Sequence, residues 1–263
     1  MFDPNLEALA KNVRANGGAE ILPVNLAEIA DYDDLILEPV TEHAGFNGKI
    51  EFLPDDNVFV IFHPDPATYL YKSRLRFSIA HEFAHFYIDE HRAALVRGET
   101  HNSMPGFRSK HPREVQADEF AAALLIPIGT MEPQIRKRGF LTLQEICSVA
   151  RQCEVSPYAT AIRYVRMAEE TCFVVLANNG QVVSSFSSDE ACIRRMGRLQ
   201  IGHLPAKSPG HSLASRSRSE EARGIDHPLD VWYPEKGNST LWESCTPLGE
   251  GYTLSLVSAE SAG

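Results

Sequence analysis

Residues 76–85 read Arg76-Phe77-Ser78-Ile79-Ala80-His81-Glu82-Phe83-Ala84-His85, and the fold of the first half of the chain turns on how they are read. Leu75, Ile79, Phe83 and Phe86 recur at helical spacing, and neither Gly nor Pro interrupts from Lys72 to Arg97, which predicts one long helix. On such a helix His81 and His85 share a face, with Glu82 beside them. Two imidazoles on one face can meet a single metal ion. Zinc takes neutral imidazoles at about 2.0–2.1 Å and, for catalysis, a third protein ligand plus an open position for water. Glu82 is then the general base that accepts the proton of that water. The plainer alternative is a pair of satisfied histidines on a buried helix. With 10 His and 35 acidic residues in the chain, the pattern arises by chance only about 0.05 times, which favours the metal.

Two residues compete for the third ligand. His91 lies ten positions after His81, the spacing at which a Gly-containing turn returns a third histidine to the metal, but the Gly position holds Ile88. A β-branched residue suits that left-handed turn poorly, so the helix is expected to run on and carry His91 away. The second candidate is Glu114 in Pro112-Arg113-Glu114-Val115-Gln116-Ala117-Asp118-Glu119-Phe120-Ala121-Ala122-Ala123-Leu124-Leu125-Ile126-Pro127. Pro112 suits a first helical turn, Pro127 stops the helix, and the alanines permit close packing. Glu114 and Asp118 then share a face, one carboxylate placed for the metal and the other for the far N–H of a ligating histidine.

These two segments, His-Glu-x-x-His and the downstream Glu-x-x-x-Asp before Leu-Leu-Ile-Pro, resemble the ImmA/IrrE family of metallopeptidases over about residues 20–130. Phe83-Ala84 and Asp118 depart from the family's usual Leu-Gly and Asn, yet neither departure removes a ligand. The resemblance implies His81, His85 and Glu114 as metal ligands, Glu82 as base, Zn2+ or another divalent ion as cofactor, and a helix-turn-helix repressor as the cleaved partner in a stress response. It also implies a GAF-like domain after the peptidase.

Around this centre the pattern predicts an α+β protein. Helices are expected over 5–15 and from Asn25 to Tyr32, and strands over Leu35–Val40, Lys49–Leu53 and Asn57–Phe62, forming a small sheet beside the metal helix. An edge strand of such a sheet can hold an extended peptide. Gly98 to His111 reads as a surface loop. His101, His111, Tyr69, Tyr71 and Tyr87 are candidates for steadying an oxyanion, and nothing in the sequence chooses among them. Further helices are expected over Leu141–Arg151 and Pro157–Met167, joined by a turn like that of a helix-turn-helix with Val155 buried. Cationic residues such as Arg136, Lys137 and Arg138 make DNA binding a second reading of this stretch. From Cys172 the texture becomes β-rich, with a hairpin about Asn178-Asn179-Gly180 and strands over Asp230–Tyr233, Leu241–Thr246 and Tyr252–Val257. Residues 191–218 carry Arg194, Arg195, Arg198, Lys207, Arg216 and Arg218 without an acid, and Ser208 to Arg223 reads as mobile. The expected division is a zincin-like domain over 1–130, a helix-turn-helix-like region over 131–170 and a β-rich, GAF-like domain over 171–263.

Composition narrows the classes. A formal net charge of −10 argues against a protein that coats nucleic acid, and no apolar run is long enough to span a membrane. Five cysteines without metal spacing point to a reducing, cytoplasmic setting. The sequence thus predicts a cytoplasmic zinc endopeptidase that cuts a regulatory protein. The competing class is a DNA-binding or sensor protein with a structural metal, for which an intact Glu82 would have no use.

Overall fold

The computed structural model describes residues 3–41, 46–99, 101–103, 111–193, 202–214, 222–228, 232 and 240–259. The chain separates into two compact units, one of residues 2–128 with 150–156 and the other of residues 129–149 with 157–263. It is an α+β protein in which each unit has its own sheet.

The first unit opens with α1 (Pro4–Asn16), whose N-cap Asp3 accepts from the backbone N–H of Asn5, and α2 (Leu26–Tyr32), capped in the same way by Asn25. Then come β1 (Ile36–Val40), β2 (Gly48–Leu53) and β3 (Val58–Pro64). They feed α3 (Lys72–Tyr87), which is followed by α4 (Asp89–Val96), a short β4 (His101–Ser103) and α5 (Pro112–Leu125). The sheet order is β1-β3-β2-β4, with β1 parallel to β3 and the other pairings antiparallel. Helix α3 packs on α5 and on strands β2 and β3. Phe59 of β3 meets Phe86 of α3 edge to face, ring centroids 5.1 Å apart. On the other side of the ligand helix, Ala117, Phe120, Ala121 and Leu124 are all fully buried, so the alanines of α5 do bring two helix backbones close.

Arg14 of α1 is buried and donates from one Nη to the carbonyls of Ala123 (2.6 Å) and Leu124 (3.1 Å). Those carbonyls belong to the last turn of α5 and have no partner within the helix, so a buried guanidinium both satisfies them and offsets the negative end of the helix dipole.

Two expectations fail in this unit. The helix does not run through Ile88: that residue is extended (φ −85°, ψ 114°), its N–H closes α3 on the carbonyl of Ala84, and α4 starts afresh. An extended backbone suits a β-branched side chain and ends a helix as surely as a glycine does. The stretch read as a surface loop contributes β4, which pairs with β2 in the register Gly48↔Ser103 and Ile50↔His101.

The second unit contains α6 (Glu132–Arg138), most of α7 (Leu143–Cys153) and α8 (Pro157–Met167). A five-stranded antiparallel sheet follows, in the order β6-β5-β9-β8-β7, from β5 (Cys172–Asn178), β6 (Gln181–Ser187), β7 (Ala222–Pro228), β8 (Thr240–Gly249) and β9 (Tyr252–Ser258). Two short helices, α9 (Asp189–Ile193) and α10 (Pro209–Ala214), lie between strands in the chain. Asn179 and Gly180 both have positive φ (48° and 79°), as a two-residue turn between twisted strands requires. Val155 is buried as expected. The segment read as mobile holds α10 near its start, with Ser208 fully buried, and reaches β7 at its end; residues 215–221 between them lie outside the described set. The strand expected over Asp230–Tyr233 also falls outside the described residues except for Trp232, which is buried in a turn. Of the basic residues after Pro127, Arg136 is paired with Glu132 and Arg138 with Glu145, which reduces the positive surface available to a nucleic acid.

Candidate metal centre

Helix α3 presents His81 and His85 one turn apart, and α5 brings Glu114 to them from its own first turn. Pro112 starts α5, and the His111 ring accepts from the N–H of Arg113 at 3.3 Å, so the helix begins at a defined residue and Glu114 has a fixed height. The Nε2 atoms of His81 and His85 are 3.3 Å apart. Glu114 Oε2 lies 3.4 Å from His81 Nε2, and its Oε1 lies 3.8 Å from His85 Nε2. Ligands at about 2.0–2.1 Å from a tetrahedral zinc stand about 3.3–3.4 Å from one another, so two imidazole nitrogens and one carboxylate at these separations fit around one ion. Among the described residues, His81, His85 and Glu114 are the group of side chains whose ligand atoms lie close enough to hold a metal ion.

The tautomer of His81 follows from its other nitrogen. Nδ1 donates to Asp118 Oδ1 at 3.0 Å, which leaves the lone pair of Nε2 facing His85 and Glu114. Burial works against a charge on His81. Hydrogen bonding to Asp118 and Glu114, with the nearby charge of Glu82, outweighs it and raises the pKa to about 10. Three carboxylates thus favour a positive charge at this point, and a divalent cation meets that demand as a proton does.

Glu82 is fully buried next to His81. Its carboxylate lies against the backbone of Gly48 on β2, where an added Cβ would stand 3.0 Å from Oε1 and 3.1 Å from Cγ. In the sequence Gly48 merely precedes the strand expected over Lys49–Leu53. No pattern in one chain could have told that its missing side chain leaves room for a residue 34 positions on.

His91, the rejected ligand, comes back toward the centre because of the break at Ile88. Its ring is 4.9 Å from that of His85, but its Nε2 pairs with Gln116 Oε1 at 3.1 Å, and the ring stays outside the cluster. Burial lowers its pKa, which favours the neutral ring. A cavity of about 180 Å³ opens beside the two ligands His85 and Glu114, bounded by His91, Ala94, Leu95 and Arg113. Arg113 reaches Glu99 across it at 2.9 Å.

The candidate oxyanion donors are not drawn together. Tyr87 donates to Asp33 at 2.5 Å and is committed there. Tyr69 and Tyr71 pack on each other ahead of α3, ring centroids 6.2 Å apart, with Tyr71 half exposed. His111 caps α5 and also lines the cavity beside His85 and Glu114, and the side chain of His101 lies outside the described residues.

Among the described residues no helix is long and apolar enough to cross a membrane. Comparison with known proteins agrees with the geometry. A solved structure of a Mycobacterium tuberculosis transcriptional regulator is similar, with a TM-score of 0.61 at 15% identity over 98% of this chain and 76% of that one, a likeness of fold. No curated protein matches the sequence. Residues 68–164 match the model of the IrrE N-terminal-like domain, Peptidase_M78, and span α3 through most of α8. That match over residues 68–164, together with the His81, His85 and Glu114 cluster, supports a metallopeptidase-type protein.

Proposed function

We propose that the protein is a zinc-dependent endopeptidase that cuts a regulatory protein, a helix-turn-helix repressor, and so switches on a stress response in the cytoplasm. The observation that carries this reading is the placement of a buried Glu82 beside three ligand atoms of metal-site spacing. His81, His85 and Glu114 would hold the ion, which when bound supplies Lewis acidity toward a carbonyl oxygen and makes water a stronger acid. Glu82 takes a proton from the attacking water as the carbon–oxygen bond forms, and delivers it to the amine nitrogen as the carbon–nitrogen bond breaks. Asp118 keeps His81 in the tautomer that points Nε2 at the site. The outer edge of β4, which ends the sheet among the described residues, can align an extended segment by strand addition, and the cavity beside His85 can receive one of its side chains.

A cleft that binds an extended strand admits an interdomain linker and refuses folded helices, which favours a dedicated substrate. The β-rich region from residue 171 would supply docking or control. A Glu82→Gln variant, loaded with zinc and used as bait, should retain one partner, and the wild type should cut that partner at one bond. Broad digestion of casein by the wild type would overturn the dedicated substrate.

The second reading is a DNA-binding or sensor protein with a structural metal. It is favoured by the α7–α8 pair and by the likeness to a transcriptional regulator. Salt-dependent retention of DNA by a protein that fails to cut its captured partner would select it.

A further inference from the structure

We infer that Gly48 is a positioning residue for Glu82, and that strand β2 is the wall against which the base is set. This rests on the reading of Glu82 as the proton acceptor. The base is the residue next to a ligand on α3, and its Cα position comes from the helix. The carboxylate, three bonds further out, needs a stop of its own. Gly48 provides it: the strand backbone, with no Cβ, comes close enough that an added methyl would lie 3.0, 3.1 and 3.4 Å from Oε1, Cγ and Cδ of Glu82. A Cβ at that distance forces the neighbour to give by a few tenths of an ångström, and Glu82, at 0% exposure, has little room in which to give.

The same residue fixes a second coordinate. Gly48 is the β2 partner of Ser103 on β4, the outer strand of the sheet. A peptide aligned along that edge is therefore in register with the wall that holds the base. The proton acceptor and the scissile bond are measured from one strand, which is how an active site keeps a reacting group within about half an ångström of its working place.

Gly48 opens β2 and pairs with Ser103 in the ladder, a place where glycine ordinarily weakens a strand and alanine is the better residue. Contact with Glu82 reverses that sign. Gly48→Ala should lower the melting temperature of the metal-free protein by about 3 °C. Glu82→Asp, which withdraws the carboxylate by one methylene, should recover at least half of that loss in the Gly48→Ala background, although it gains nothing in the wild type. The test of positioning is spectroscopic. In the cobalt-loaded protein, the pH at which the visible spectrum changes should move in Gly48→Ala, move in Glu82→Asp, and return toward the wild-type value in the double variant. Recovery of stability without movement of the spectral transition would show packing only and overturn the proposal, as would a Gly48→Ala protein more stable than the wild type. If the wild type cuts nothing, the peptidase reading fails by itself, and these two measurements still decide whether Gly48 sets the carboxylate.

Discussion

Glu82 and Glu243 both sit at 0% exposure, one on α3 in the first unit and one on β8 in the second, and each lies against a glycine. Their company differs. Glu243 accepts from the N–H of Gly210 at 3.2 Å, from Ser255 Oγ at 2.9 Å and from Trp232 Nε1 at 3.0 Å, all neutral donors. It ties α10 and the turn at Trp232 to the sheet. Burial still pushes its pKa up to about 7, against those three bonds. Glu82 acts on His81, whose ring also meets Asp118 and Glu114, so its partner is a group that gains or loses charge itself. Burial alone therefore does not distinguish a working carboxylate from a structural one. An imidazole paired with further carboxylates is the better mark, because perturbed titratable groups gather where charge is handled.

That contrast can be broken most sharply at Glu82. Glu82→Gln should cut the rate of partner cleavage by at least about a hundredfold, the scale for removing a placed general base, while zinc content per chain stays the same. Both tryptophans, Trp232 and Trp242, belong to the second unit, so tryptophan fluorescence should report an unchanged unfolding curve there. An unaltered cleavage rate would sink the assignment.

A smaller effect is expected one shell out. Asp118→Ala frees the His81 ring to turn and should weaken zinc binding by about 10–100-fold in competition with a chelator. Equal affinity would mean that the Nδ1 hydrogen bond does not set the ligand.

The smallest effect lies in the second unit. The folded pKa of Glu243 is raised to about 7 from the ordinary 4.5, so between those values the folded chain holds a proton that the unfolded chain has lost. Stability must then fall as pH rises through the window, by about 1 kcal/mol between pH 6 and 8. Followed by tryptophan fluorescence in urea, wild type should show this slope and Glu243→Gln should not, with zinc affinity the same in both. A variant that keeps the slope would place its origin elsewhere.

Much of the site was legible because it is written at helical spacing between strong punctuation. His81 and His85 are one turn apart, Pro112 and Pro127 bracket α5, and Glu114 with Asp118 repeats the one-turn interval. The Asn179-Gly180 turn was legible for a comparable reason, since few residues tolerate two positive φ values in succession. What escaped has no periodic signature. Ile88 ends α3 by adopting an extended backbone that any residue can take. The three residues of β4 are too few to show alternation, and they pair with a strand about fifty positions earlier. Glu243 reads as one acid in a strand; its donors come from 33 and 11 residues before it and 12 after. Each of these depends on a contact made by the folded chain, where residue order carries little information.

The bond from Arg14 to the end of α5 sets a clock on synthesis. Its partner carbonyl lies 109 residues downstream, and a ribosome adding about 5–20 residues per second needs roughly 5–20 s to cover that interval. Within that interval α1 waits without the helix it braces, and for 29 residues of synthesis His81 and His85 both exist without Glu114. Zinc taken up by the nascent chain would meet two ligands, and the third would arrive on the helix that Arg14 is waiting to anchor.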